Sequence, residues 1–125
     1  MLIEETKNTP FVHFSTENSI FEIKGNSFSD NLEGIYSQIV NWIDKNIPKI
    51  NHKIDFKFNL YIFNSISYKK ILQIMSKFHE YNEQGKKISV TWVYNKEDED
   101  SKDVGEDLKD IFNIPVTIIE KEQKF

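Results

Sequence analysis

The stretch KIDFKFNLYIFNSISYKKIL, from Lys53 to Leu72, contains the pattern of a β-strand followed directly by that of a helix. In its first half apolar and polar residues alternate, which is typical of a strand with one buried face. From Ser65 onward the apolar residues are three or four positions apart, which predicts a helix. The buried side of the strand is expected to consist of Ile54, Phe56, Phe58, Leu60 and Ile62.

Helical spacing recurs on each side of this central pair. Upstream, apolar residues recur from Leu32 to Ile47 and stop before Pro48, a residue that disfavours a helix before it. The second helix is predicted over Ser65–Glu83, with Gly85 as its stop signal. A third helix follows an acidic run, and its apolar face is formed by Val104, Leu108, Ile111 and Phe112.

Short runs with strand patterns complete the chain. Segments 11–14 and 19–25 alternate around the turn-forming sequence STEN and predict an N-terminal hairpin, and two more strands are predicted over 87–94 and 116–119. The order β-β-α-β-α-β-α-β predicts an α/β fold with a mostly parallel sheet and right-handed crossovers. Because the central strand alternates strictly, we expect the three helices to lie mainly on one face of that sheet.

Composition limits the function classes that are open to this chain. Its 125 residues predict one domain over residues 1–125, with residues 1–9 and 121–125 frayed. The net charge of −4 argues against a nucleic-acid or membrane partner, since either would require a basic face. The chain contains no cysteine and no apolar run that could span a membrane, so we expect no thiolate chemistry and a cytoplasmic location.

The sequence contains none of the patterns that hold metals or cofactors. His13, His52 and His79 have no ligand spacing. The four glycines form no phosphate-binding loop and are interpreted as turns, caps or chance. We therefore expect no metal site and no cofactor.

The acidic run from Lys96 to Asp110 contains eight acidic side chains and three lysines, and it does not match a calcium-binding loop. In one interpretation it is a solvated segment whose acids stabilise the positive N-terminal end of the third helix. In the other it is an acidic surface that attracts a basic partner. The residues leave both interpretations open.

The polar junction between the central strand and the second helix has several explanations. A helix start leaves backbone N–H groups without partners, and the side chain of Asn64 or Ser65 can cap one of them. The same N–H groups and the helix dipole also suit a phosphate carried by a serine. A serine–lysine pair for acyl transfer, Ser65 with Lys69 or Ser67 with Lys70, requires a buried lysine, whereas these lysines lie on a polar face. We therefore expect no enzymatic activity.

Several segments resemble motifs of the SiaC family of bacterial regulatory phosphoproteins. FNSISYKKIL (63–72) resembles the family's Phe-Asn-Thr-Ser-Ser-x-Lys segment, and IKGNSFSDN (23–31) resembles its Gly-x-Ser-Tyr-Pro-Glu-Asn loop. TPFVHF (9–14) resembles the opening strand, and WID (42–44) resembles the end of the first helix. ISVTWVYNKEDEDSKDVGEDLKDIFNIPVTIIE (88–120) resembles the family's strand, acidic loop, Gly-Glu-Asp helix and closing strand.

The resemblance implies a STAS-like fold, similar to that of anti-sigma factor antagonists, and a role in partner switching. A serine/threonine kinase would phosphorylate the residue at the start of the second helix, and a PP2C-type phosphatase would remove the phosphate. The unphosphorylated form would bind and activate an effector such as a diguanylate cyclase. This would place the chain in c-di-GMP signalling and biofilm regulation.

The resemblance also assigns roles to individual residues. The family's phosphoacceptor threonine falls on Ser65, with Asn64 and Lys69 matching its neighbours and Ser67 as the second choice. The chain departs from the motif by having serine for threonine at position 65 and isoleucine for serine at position 66. In the early loop, Ser-Asp at 29–30 replaces Pro-Glu. Contacts with partners are expected at Ser27, Asn31 and Tyr68.

Three alternatives accompany this reading. An anti-sigma factor antagonist would act on an anti-sigma kinase, and the genes adjacent to this one would distinguish it from a regulator of a cyclase. An enzyme using Ser65 and Lys69 would be labelled by a serine-directed probe. A sensor of a small ligand has no supporting feature in the sequence.

Overall fold

The computed structural model describes residues 1–122 as strands and helices in an alternating order. A short 3₁₀ helix, Ile47–Lys49, follows the first α-helix at the position of Pro48. The main elements are β1 (Leu2–Ile3), β2 (Phe11–Ser15), β3 (Ile20–Ser27), α1 (Glu33–Asn46), β4 (Ile54–Phe63), α2 (Ser65–Glu83), β5 (Ile88–Asn95), α3 (Glu99–Ile111) and β6 (Val116–Lys121).

The strands form one six-stranded sheet in which spatial order equals chain order, β1-β2-β3-β4-β5-β6. The pairs β1–β2 and β2–β3 are antiparallel, and the three pairs from β3 to β6 are parallel. Each parallel pair is joined through one helix. Because right-handed crossovers are the rule and these three run in the same direction, they bring all three helices to one face.

The contacts of the core agree with this one-sided arrangement. Trp42 of α1 packs on Phe14 of β2 with ring centroids 5.0 Å apart. Phe78 of α2 stacks on Phe56 of β4 at 4.4 Å, and α3 packs on Trp92 of β5. The expected α/β fold, with a mostly parallel sheet and three helices on one face, is therefore confirmed.

The opposite face of the sheet carries polar contacts between neighbouring strands, and none of the helices within residues 1–122 lies on it. Lys57 of β4 pairs with Glu22 of β3 at 3.7 Å. Next to them, Asp55 accepts hydrogen bonds from the hydroxyls of Ser89 and Thr91, each 2.7 Å long. These cross-strand contacts explain the polar half of the alternation in β4.

Two isoleucines depart from the predicted apolar faces. Ile62 is 59% exposed, because β4 extends beyond its last pairing with β5 at Phe58 and its register with β3 shifts between Gly25 and Ser27. Ile111 is 60% exposed because it is the last residue of α3. Both residues lie at the end of an element that extends beyond the packed core. The periodicity of the sequence does not show where this packing ends.

The structure also differs from the expectation that residues 1–9 are frayed. Leu2 and Ile3 pair with β2, and the N-terminal amino group of Met1 donates a hydrogen bond to the Phe14 carbonyl at 2.7 Å. At the other end, Lys121 is the last residue of β6, and residues 123–125 lie outside the described part of the chain.

Candidate functional site

The second helix begins one residue after the central strand, and Asn64 is the residue between them. Its extended backbone, with φ −106° and ψ −178°, turns its side chain toward the helix, where Oδ1 accepts a hydrogen bond from the N–H of Ser67 at 2.9 Å. Of the two cap candidates, the structure therefore selects Asn64. Ser65 becomes the first residue of the helix.

The hydrogen bonds around this helix start leave two backbone N–H groups without an acceptor in the helix. The N–H of Asn64 donates to the Ser27 carbonyl at 3.2 Å, and that of Tyr68 begins the helical ladder by donating to the Asn64 carbonyl at 3.0 Å. Since the cap uses the N–H of Ser67, those of Ser65 and Ile66 remain without an intrahelical acceptor. They adjoin the Ser65 hydroxyl.

The two serines of the first turn differ in accessibility. Ser65 is exposed, whereas Ser67 is fully buried with 0% of its surface accessible. A kinase must reach the acceptor oxygen, so of these two serines only Ser65 is accessible to it in the folded chain. This geometry favours Ser65 over Ser67, the second choice from the sequence.

Ser67 belongs instead to a buried chain of hydroxyl groups. Its Oγ donates to the Ser27 carbonyl and lies 2.6 Å from the Ser27 Oγ, which is 2.9 Å from the hydroxyl of Tyr36 on α1. Burial raises the pKa of Tyr36, which keeps its hydroxyl protonated. Ser27 was expected to contact a partner, but it is 0% exposed and forms internal hydrogen bonds.

The other residues from the sequence analysis differ in their exposure and contacts. Asn31 and Lys69 are exposed, while Tyr68 is half-buried and packs against the core. Lys70 forms an ion pair with Glu33 of α1 at 2.5 Å. An exposed lysine and a paired lysine do not provide the buried amine that a serine–lysine enzyme requires.

Three exposed apolar side chains, in the segments that meet at the start of α2, were not identified from the sequence. Phe28 is 37% exposed, Ile62 is 59% exposed and Ile66 is 41% exposed. Phe28 is tied to the site because its carbonyl accepts a hydrogen bond from the Asn64 side chain at 3.2 Å. Their exposure depends on the irregular end of β4 and on the loop after β3, which residue spacing does not reveal.

The acidic run stabilises α3 in the way that the first interpretation expects. Asp98 caps the helix by accepting a hydrogen bond from the N–H of Ser101 at 3.0 Å, and Glu99 and Asp100 lie in its first turn. Within residues 1–122 no group of His, Cys, Asp or Glu side chains could hold a metal ion. Over the same range, no helix has the length and apolar character needed to cross a membrane.

Replacing Asn64 with alanine should lower the free energy of unfolding by about 1–2 kcal/mol, because it removes the cap of α2. Asn64→Asp is the matched variant, since a carboxylate retains the acceptor for the Ser67 N–H but cannot donate to the Phe28 carbonyl. We expect it to retain most of the stability. Urea unfolding measures both variants, and an Asn64→Ala chain as stable as the unmodified one would contradict the assigned cap.

Comparison with solved structures shows the same fold in other proteins. The complex of the diguanylate cyclase SiaD with its activator SiaC from Pseudomonas aeruginosa contains a chain that matches with a TM-score of 0.90 and 19% identity, covering 97% of this chain and 99% of that one. Apo-SiaC from the same organism matches with a TM-score of 0.84 and 17% identity, covering 95% and 97% of the two chains.

Sequence comparison extends over the same length. An uncharacterized protein of Pseudomonas aeruginosa strain UCBPP-PA14 is 20% identical over 116 residues, which are 93% of this chain and 92% of the relative. The family model for SiaC family regulatory phosphoproteins matches residues 3–121. This match covers nearly every residue of the fold, including the start of α2, and the chain therefore belongs to the SiaC family of regulatory phosphoproteins.

Proposed function

We propose that this chain is a non-catalytic, single-domain switch in which phosphorylation of Ser65 controls binding to an effector. The observation that carries the proposal is the position of Ser65, an exposed hydroxyl on the first residue of α2 in a chain of this phosphoprotein family. The resemblance to the family motif also implies that this position is that of the family's phosphoacceptor. Ser67, the nearest alternative acceptor, is buried.

The helix start can accept a phosphate without unfolding. A phosphoserine carries about −1.5 to −2 charges at pH 7, and its oxygens are strong acceptors. The N–H groups of Ser65 and Ile66 lack intrahelical acceptors, and Lys69 is exposed one turn further along the helix. The helix dipole adds to this favourable setting. The modification should therefore change surface charge much more than backbone structure.

The effector would bind the apolar surface formed by Phe28, Ile62 and Ile66, which we call the switch surface. Burial of apolar side chains provides much of the affinity of protein interfaces. A phosphate placed beside these side chains would either remain hydrated, which prevents close contact, or become buried without a partner, which is costly. Unphosphorylated chain would then bind the effector, and phosphorylated chain would not.

The partners follow from the same mechanism. A serine/threonine kinase would add the phosphate, a PP2C-type phosphatase would remove it, and the effector would be a diguanylate cyclase. SiaC of Pseudomonas aeruginosa, which has the same fold, is an activator that forms a complex with the diguanylate cyclase SiaD. The chain would accordingly act in c-di-GMP signalling, with biofilm formation as the regulated process.

The acceptor can be tested by co-expressing the chain with its cognate kinase and locating phosphate by peptide mass spectrometry. We expect one phosphate, on Ser65, and none on a Ser65→Ala chain. Ser76 is a matched internal control because it is an exposed serine on the same helix and should stay unmodified. Phosphate on another residue, or none under conditions in which the kinase is active, would contradict the proposal.

A further inference from the structure

The buried hydroxyls of Tyr36, Ser27 and Ser67 connect three separate parts of the chain beneath Ser65. Tyr36 belongs to α1, Ser27 ends β3, and Ser67 lies in the first turn of α2. All three are at most 1% exposed. Hydroxyl groups buried to this extent are costly unless they are hydrogen-bonded, so their arrangement constrains the three elements relative to one another.

The donors in this chain can be assigned from the number of protons. Each hydroxyl has one proton to donate. Ser67 uses its proton on the Ser27 carbonyl, so the 2.6 Å contact requires Ser27 to donate to Ser67. The proton of Ser27 is then occupied, and Tyr36 must donate across the 2.9 Å contact to Ser27. The series of hydrogen bonds therefore runs in one direction, from Tyr36 to Ser27, from Ser27 to Ser67, and from Ser67 to the Ser27 carbonyl.

The same Ser27 carbonyl also accepts the N–H of Asn64, so residues on both sides of Ser65 are fixed to one atom. Asn64 continues this connection outward by donating to the Phe28 carbonyl. The first turn of α2 cannot shift without moving the loop after β3, which bears the exposed side chain of Phe28. Two elements distant in sequence are thus coupled through the buried hydrogen bonds of Ser27 and Ser67 and through the exposed hydrogen bond from Asn64 to Phe28.

We infer that the chain Tyr36–Ser27–Ser67 is a positioning device, which holds the Ser65 turn against the loop Phe28–Asn31 and transmits the phosphorylation state of Ser65 to that loop. This inference rests on the proposed function of Ser65 and adds a second part to it. The loop, which is separated from Ser65 by more than thirty residues in sequence, reports the modification. Tyr36 acts through Ser27, which in turn donates to Ser67, and Tyr36 is buried and touches no partner itself.

Tyr36→Phe is the decisive variant, because it removes one hydroxyl and leaves the ring in place. Tyr81→Phe is its matched control: the hydroxyl of Tyr81 joins α2 to Asp44 of α1 at 2.7 Å, at the far end of the same helix pair. We expect hydrogen exchange of the Ser67 and Tyr68 amides, which are both hydrogen-bonded to Asn64, to accelerate about three- to tenfold in Tyr36→Phe, the effect of one lost buried hydrogen bond. Tyr81→Phe should leave these amides unchanged.

The second readout is the change in the loop resonances that phosphorylation of Ser65 causes. Loss of a residue with a purely structural role would not alter the size of this change. Phosphoserine is incorporated at position 65 during synthesis, so the test does not depend on a kinase, and amide resonances are compared with and without the phosphate. In the chain without substitutions and in Tyr81→Phe, the resonances of Phe28–Asn31 should shift when Ser65 carries the phosphate. In Tyr36→Phe and Ser67→Ala the loop shifts should fall at least about twofold, as expected when a buried contact that couples two segments is lost.

The outcomes separate this inference from the proposed function. Loop shifts of equal size in all four chains, or an equal loss in Tyr81→Phe, would overturn the positioning role even if Ser65 is the acceptor. Absence of loop shifts in the unmodified background would overturn transmission. Should Ser67→Ala not fold, Tyr36→Phe alone decides, since a Tyr-to-Phe change retains the packing of the ring. Failure of Ser65 to be phosphorylated by its kinase concerns only the proposed function.

Discussion

A Ser65→Asp chain should bind the cyclase proposed as its effector at least about tenfold more weakly than a Ser65→Ala chain, a difference of about 1.4 kcal/mol or more. The carboxylate would lie beside Ile66 on the switch surface and would be desolvated when the partner docks. Alanine at the same position introduces no charge and should preserve binding. Titration calorimetry with purified cyclase measures both affinities.

The expected loss of affinity in Ser65→Asp does not arise from unfolding, because this substitution should stabilise the folded chain and not destabilise it. An acidic side chain in the first turn of a helix interacts favourably with the helix dipole, typically by about 0.3–1 kcal/mol. Ser65→Asp should therefore be as stable as the unmodified chain, or slightly more stable. Its thermal midpoint should show this, and a lowered midpoint would point to a disturbed helix start instead of a switch.

Ser76→Asp provides the control for charge alone. Ser76 is exposed on α2 about three turns beyond Ser65, so the same charge is added to the same helix away from the switch surface. We expect its affinity for the cyclase to match that of the unmodified chain within about twofold, as for surface substitutions outside an interface. Equal affinities for Ser65→Asp and Ser65→Ala would refute the switch, and an equal loss in Ser76→Asp would attribute the effect to general repulsion.

Sequence periodicity predicted α2 with its observed limits, Ser65–Glu83, for two local reasons. Asn64 caps its start, and the chain adopts a positive φ of 99° at Gly85 just after its end. Both signals lie within a few residues of the boundary they specify. The buried row of β4 was equally local and correct as far as Leu60, although Asn59 on the other face of the strand is buried as well.

The parts that sequence could not predict depend on contacts between distant residues. Ser27 and Ser67 are forty positions apart, and no local pattern indicates that their hydroxyls meet. The resemblance to the family motif identified both serines, but their burial shows that they support the site from within. The two-residue strand β1 was missed for the same reason, because its pairing with β2 comes from the tertiary structure.

The need for glycine at position 105 also comes from a contact with a residue distant in sequence. We expect Gly105→Ala to lower the free energy of unfolding. Gly105 is buried in α3, and an added Cβ would lie 2.6 Å from Cδ1 of Trp92. Trp92 is 1% exposed, and its Nε1 donates to the Ser101 carbonyl at 2.8 Å, so the ring cannot move aside freely. Overpacking of this kind costs about 1–3 kcal/mol.

Gly34→Ala is the control that separates packing from helix propensity. Gly34 lies in α1, is exposed, and would place its added Cβ more than 4 Å from the nearest atoms outside its own turn. Alanine is favoured over glycine in helices by about 1 kcal/mol, less near a terminus, so Gly34→Ala should stabilise the chain by a few tenths to about 1 kcal/mol. At Gly105 the same propensity gain offsets only part of the steric cost. Chemical denaturation should therefore give opposite signs for the two variants. Stabilisation by both would mean that α3 can move away from the sheet, and that Trp92 does not require glycine opposite its ring.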